Sequence, residues 1–143
     1  MANLKVKIVK YSDGKLDRVM VPIASATAVE KGHAISYEGN KAVLMDLEAE
    51  DATFVGISED DHAAASGDGK ILVIQKCIVD APVESGSYCS GDPLSFNTST
   101  GSLQKDTDNT IAFAFEDTEL DSVTRLRCLI DVVALDKLFN VKA

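Results

Sequence analysis

The sequence predicts a mainly β protein: one compact domain, a β-barrel or sandwich built from short hairpins, with an extended N-terminal segment. Three observations carry that prediction. Apolar residues recur with a period of two rather than 3.6. Turn-forming residues interrupt them at intervals of about ten positions. No amphipathic helix is legible beyond short pieces, a turn after Leu120 and the stretch Leu135–Phe139.

Element by element, the alternation is explicit. Leu4, Val6 and Ile8 alternate with Lys5 and Lys7, and Leu126, Cys128, Ile130 and Val132 alternate with Arg125, Arg127 and Asp131. Each is the pattern of a strand with one face buried. Ile111, Phe113 and Phe115 place large side chains on one face of a further strand, with Ala112 and Ala114 on the other. Ile71-Leu72-Val73-Ile74 is apolar at every position, which predicts a central strand covered on both sides. Asp13-Gly14, Gly39-Asn40, Asp68-Gly69 and the 97–101 stretch supply turn positions that tolerate positive φ. A faint repeat also appears. Val29-Glu30-Lys31-Gly32 recurs as Val83-Glu84-Ser85-Gly86, and the stretch from Phe54 to Asp60 is echoed from Ile111 to Asp117, which predicts two packed hairpin units.

The 143 residues divide into 1–12, an N-terminal arm or first strand, and 13–143, a β-rich domain. A hydrophobic share of 45% and a charged share of 26% are those of a globular chain, not a disordered one. No apolar run approaches the ~18 residues of a membrane helix, and no apolar signal core follows the charged N-terminus. The reading is a protein of the cytoplasm that neither enters a membrane nor is exported. Lys and Arg number 14 against 23 Asp and Glu, a net charge of −9. Phosphate backbones are bound by the opposite balance, so nucleic acid is excluded as a partner.

Catalytic constellations are not found. The two histidines, His33 and His62, have no zinc-ligand spacing around them. Glu59-Asp60-Asp61-His62 lacks the alternate ligands of a calcium loop and reads as a solvated acidic loop. Gly67-Asp68-Gly69-Lys70 is followed by Ile71 instead of the Ser or Thr of a phosphate loop. The three cysteines have no CxxC spacing and read as buried thiols. The enzyme reading is a small β-barrel enzyme, with Cys89 as nucleophile and His33 as base, which rests only on the presence of both residues, or with an acid pair whose separation a sequence does not show. Asn97-Thr98-Ser99 is a glycosylation sequon without an export signal. The expectation is a non-enzymatic interaction or structural module without cofactors or metal.

Two segments are candidates for partner contact. Leu4, Lys5, Val6, Lys7 and Ile8 form an amphipathic strand that either joins the protein's own sheet or adds to a partner's sheet edge. Leu138 and Phe139, with Leu135 and Val141, seal either the core or a subunit contact.

The layout over residues 20–134 resembles the phage capsid decoration, or cement, proteins. The resemblance rests on Ala26–Ile35 with its Ala-x-x-Val-x-x-Gly-x-x-Ile step, on Val55-Gly56-Ile57, and on the Ile71–Ile74 strand. Val83-Glu84-Ser85-Gly86-Ser87-Tyr88-Cys89, Gly101-Ser102-Leu103, Ile111–Ala114 and Leu126–Val133 complete it. One departure is Phe113-Ala114-Phe115, where relatives more often carry Gly-Val or Gly-Ile. The resemblance implies a structural virion protein on the outer capsid surface, bridging major capsid proteins and stabilising the shell, as a homotrimer. The alternative is a low-copy head-fibre or tail-associated β domain that recognises a host surface.

Overall fold

A computed structural model describes residues 3–11, 18–45, 54–97, 99–106, 110–118 and 123–132. The Asp13-Gly14 turn, both short helical pieces, and Leu138 and Phe139 lie outside the described residues. Eleven strands are described: β1 (Lys7–Tyr11), β2 (Arg18–Ile23), β3 (Ala34–Glu38), β4 (Lys41–Leu44), β5 (Phe54–Ser58), β6 (Gly69–Ile74), β7 (Lys76–Gly86), β8 (Pro93–Phe96), β9 (Leu103–Lys105), β10 (Ala112–Ala114) and β11 (Val123–Asp131).

They form two sheets of matching order. The first runs β2-β6-β5-β3-β4 and the second β7-β11-β10-β8-β9, with β1 added along β7. Shifting every label of the first sheet by five strands gives the second. A parallel bridge between Val83 and Leu103 joins β7 to β9 and closes the second sheet into a five-stranded barrel.

Register turns this likeness into residue equivalence. Pairing of β2 with β6 matches β7 with β11, so Val21-Pro22-Ile23 stands where Ala81-Pro82-Val83 stands. In the same way β3–β5 matches β8–β10, placing Ile35 with Leu94 and Gly56 with Ala112. The repeat predicted from sequence is therefore real, but its register is corrected in both halves: Val55, not Phe54, corresponds to Ile111. Gly32 corresponds to Gly91 and not to Gly86: both have φ near +95° (96° and 93°), and each donates its N–H across the sheet, to Ser58 O or Ala114 O. Gly86 ends the long strand β7 instead.

Packing repeats with the topology. Val21, Ile23, Val29, Ile35, Ala42 and Val55, with Ile71 and Val73, form the core of the first unit. Their equivalents Ala81, Val83, Tyr88, Leu94, Leu103 and Ile111, with Leu126 and Cys128, all lie in the second core. That second core extends to Ala34, Phe54, Ile57 and Ile74 on the other face of the first unit's strands. Strand β5 is thus buried at every position, and the two units share apolar contacts rather than hanging on a linker. Burying both faces of a strand favours continuous apolar runs, as β6 shows in a milder form, with Leu72 half-buried among buried neighbours.

Two details refine the sequence reading. On β10 the alanines face the core, Ala112 at 0% and Ala114 at 3% exposure, whereas Phe115 beyond the strand is 48% exposed. Both alanines belong to the larger core, which already holds large side chains such as Leu94, Leu103 and Leu126. Gly39 and Asn40 both take positive φ, 58° and 64°, closing the β3–β4 hairpin with the two-residue turn that matches strand twist.

Candidate functional site

The turn that enters each unit is built the same way. In the first, His33 Nδ1 accepts the Glu30 N–H at 3.0 Å, and Asp61 Oδ1 accepts the Lys31 N–H at 2.7 Å. In the second, Asp92 Oδ2 accepts the Cys89 N–H at 2.8 Å, and Asp117 Oδ1 accepts the Ser90 N–H at 2.7 Å. A third bond repeats too, from Leu72 N–H to Asp60 Oδ2 and from Arg127 N–H to Glu116 Oε1. Side-chain acceptors satisfy backbone donors that the ladders leave over. The acidic loop of the sequence is therefore a set of separate structural bonds. Glu59 completes it by accepting from Arg18 Nε at 3.1 Å.

Beside the first of these turns lies an open cleft of about 680 Å³. Ala28, Val29, Leu44 and Ala63 give it apolar walls, and Glu30, Asp61 and both histidines line it as well. The ring nitrogens of His62 face Thr27 O at 2.7 Å and Gly67 O at 2.9 Å, tying the 63–67 loop to the turn before Val29. Lys5 pairs with Glu30 at the surface, and this hydrogen bond and charge hold the Glu30 carboxyl below its ordinary range.

Burial pushes the His33 imidazole below its ordinary 6.5, with the Lys5 charge acting the same way. Its folded form declines a proton that the unfolded chain accepts below that value. Stability from His33 is then whole above about pH 6.5 and is lost as pH falls toward the lower folded value. The expected result is a urea midpoint that drops between about pH 7.5 and about pH 5.5. His33→Asp, which installs the acceptor found at Asp92, is expected to reduce that drop; an unchanged drop would remove His33 as its source.

The equivalent corner of the second unit holds Tyr88 and Lys105. Tyr88 is buried and donates its hydroxyl hydrogen to Glu84 O, and Lys105 Nζ lies 5.4 Å from the centre of its ring. Burial raises the Tyr88 phenol, with the Glu84 charge adding to it. The Glu84 carboxylate accepts from Asn97 Nδ2, Thr100 Oγ1 and Ser102 Oγ, which fastens the β8–β9 loop to the end of β7. Asn97 of the sequon is held on both sides, since its Oδ1 accepts the Ser99 and Thr100 N–H groups.

The cysteines separate into two kinds. Burial pushes Cys77 and Cys128 up to about 12, so neither is a thiolate nucleophile near neutrality. Cys89 is exposed, which corrects the expectation that all three are buried. It occupies the turn position of Glu30, and His33 that of Asp92, so the two members of the enzyme reading sit in corresponding turns of different units. A thiol reagent is expected to modify Cys89 rapidly in the native protein and the other two only on unfolding. Rapid native reaction of a second thiol would contradict the burial of Cys77 and Cys128.

The residues proposed for partner contact split likewise. Leu4 (0% exposed) and Val6 (6%) are in the protein's own core, and Ile8 packs against it half-buried. Lys5 and Lys7 are exposed. Strand β1 pairs with β7, so Lys7 and Ile8 belong to the protein's own sheet. Sequence reasoning passed over the cleft, whose walls are apolar residues from three separate segments. Among the described residues no group of three or more His, Cys, Asp or Glu gathers at a common point, and no buried side-chain polar atom lacks a partner. No protein-family model matches the chain, and no curated protein does.

Proposed function

We propose that this protein is a structural component of a phage virion that binds the outer surface of the capsid and bridges neighbouring major capsid proteins. The observation that carries the reading is the duplication: two units of one topology, fused through a shared core and with their entering turns pinned by matching side-chain bonds. One chain that carries two similar units suits a lattice of repeated subunits, where it meets two equivalent neighbours. The layout shared with capsid decoration proteins and the net charge of −9, which disfavours contact with packaged DNA, support the same reading. Such a protein stabilises a shell by binding the assembled lattice and not its dissociated parts. Many modest contacts per particle then add through avidity.

The test is quantitative densitometry of purified virions against the major capsid protein, paired with thermal disruption of particles with and without this chain. A copy number near that of the coat protein, or a simple fraction of it, is expected together with earlier disruption of the stripped particles. A few copies per virion would replace this reading with a fibre or host-recognition role, and absence from virions would end it.

A further inference from the structure

The two units answer one structural question differently. By register, Leu44 pairs with Ile35 as Lys105 pairs with Leu94, which makes Leu44 and Lys105 equivalent. By the turn bonds, Val29 exchanges backbone bonds with His62, and Tyr88 makes its two with Thr118, which makes Val29 and Tyr88 equivalent. In the second unit this pair is an aromatic ring beneath an ammonium group. In the first unit the same two positions are shorter apolar side chains, and the corner is the open cleft.

We propose that the cleft is a docking site for a segment of a partner protein that presents an aromatic ring next to a Lys or Arg. The partner supplies from outside the ring-and-cation pair that Tyr88 and Lys105 supply from within. The exposed Ala28 and the half-buried Leu44 offer the ring an apolar bed, with the buried Val29 beneath them. Glu30, already paired with Lys5, and Asp61, which meets only a backbone N–H, place carboxylates at the same cleft, so Asp61 above all draws a basic neighbour toward it and repels an acidic one. The chain's net charge of −9 acts in the same direction at longer range. Nothing in this pairing depends on the capsid role.

The probe is the capped hexapeptide Ser-Val-Tyr-Lys-Val-Ser, titrated into ¹⁵N-labelled full-length protein and followed by amide shifts. Saturable shifts centred on Val29, Glu30 and Leu44 are expected. Replacing the peptide's Tyr by Ala or its Lys by Glu is expected to weaken binding by about fivefold, the scale of one ring contact or one cation–π contact. In the protein, Val29→Tyr with Leu44→Lys fills the cleft from within and is expected to abolish binding while the remaining amide spectrum is kept. Leu44→Lys alone, at a half-buried position, serves if the double variant does not fold, and is expected to weaken binding by like charge. Equal binding of the three peptides, shifts away from the cleft, undiminished binding to Leu44→Lys, or no saturable shift overturns the proposal. Concentration-dependent shifts of the same amides without peptide would assign the cleft to a second copy of the chain and overturn it equally.

Discussion

Gly56→Ala is expected to destabilise the protein by about 3–5 kcal/mol, combining backbone strain with overpacking in a closed core. Gly56 sits mid-strand in β5 at φ +149°, a conformation that side chains rarely adopt. A Cβ added there would stand 2.4 Å from the Ile74 carbonyl oxygen and 2.8 Å from Val73 Cγ1. Neither neighbour can move cheaply, since β5 pairs with β6 through Ile57 and Ile74, and Ile74 is fully buried. The register of β3 against β5 also shifts beside Gly56, between Ile35 and Ser36. The equivalent position in the second unit is Ala112, buried and accommodated. An alignment of the units would therefore present alanine as acceptable, and the structure predicts the opposite. Urea unfolding followed by far-ultraviolet circular dichroism measures the effect. Gly39→Ala is the control: φ is +58° and nothing lies within 4 Å of its Cβ, so only the left-handed strain of about 1–2 kcal/mol is expected. Equal losses in the two variants would refute the close approach at β5–β6.

Leu4→Ala is expected to cost about 2–4 kcal/mol, whereas Lys5→Ala and Lys7→Ala each change stability by less than about 0.5 kcal/mol. Leu4 is fully buried within the larger core, and its carbonyl accepts the Ala34 N–H at 3.0 Å. Two residues on, the Val6 N–H donates to Gly32 O at 2.9 Å, so this stretch is stitched to the first unit before β1 runs along β7. Lys5 has only its exposed ion pair with Glu30, an interaction that water screens heavily. The consequence for tests of the proposed capsid role is direct. Deleting the N-terminal segment would empty part of the core, so a loss of capsid binding in that deletion would report unfolding. Lys5→Glu combined with Lys7→Glu reverses the exposed charges and leaves Leu4 and Val6 in place. Reduced capsid occupancy with an unchanged urea midpoint would place the contact on this strand; unchanged occupancy would move it elsewhere.

Much of the architecture was legible because burial on a strand writes itself as alternation. In β11, Leu126, Cys128 and Ile130 are buried while Arg125 and Arg127 are exposed, and in the N-terminal stretch Leu4 and Val6 are buried between the exposed Lys5 and Lys7. The duplication was visible only in blurred form. Its strongest marks are bonds in which His33 does the work of Asp92 and Asp60 that of Glu116. Acceptor chemistry is kept while residue identity changes, so matching letters such as Gly32 with Gly86 led to the wrong register. Two better signals were present, Val21-Pro22-Ile23 against Ala81-Pro82-Val83, and Asp60-Asp61 against Glu116-Asp117. The cleft left no trace, because its lining comes from segments far apart in the chain, around Val29, Leu44 and His62.

The order of amino acids alone determined a strand-rich domain of acidic surface, the buried faces of β11 and of the Leu4–Ile8 stretch, and the tight turn at Gly39-Asn40. Each follows from chemistry within a few residues of chain: side-chain period, formal charge, and tolerance of positive φ. Tertiary structure decided what depends on distant segments meeting. It put Leu4 inside, turned the small residues of β10 toward the core, refused a Cβ at Gly56, and set a ring and an ammonium group at one of two equivalent corners where the other lines a cleft. Close packing sets those outcomes, since the space beside a residue is fixed by neighbours far away in sequence and not by the residue itself.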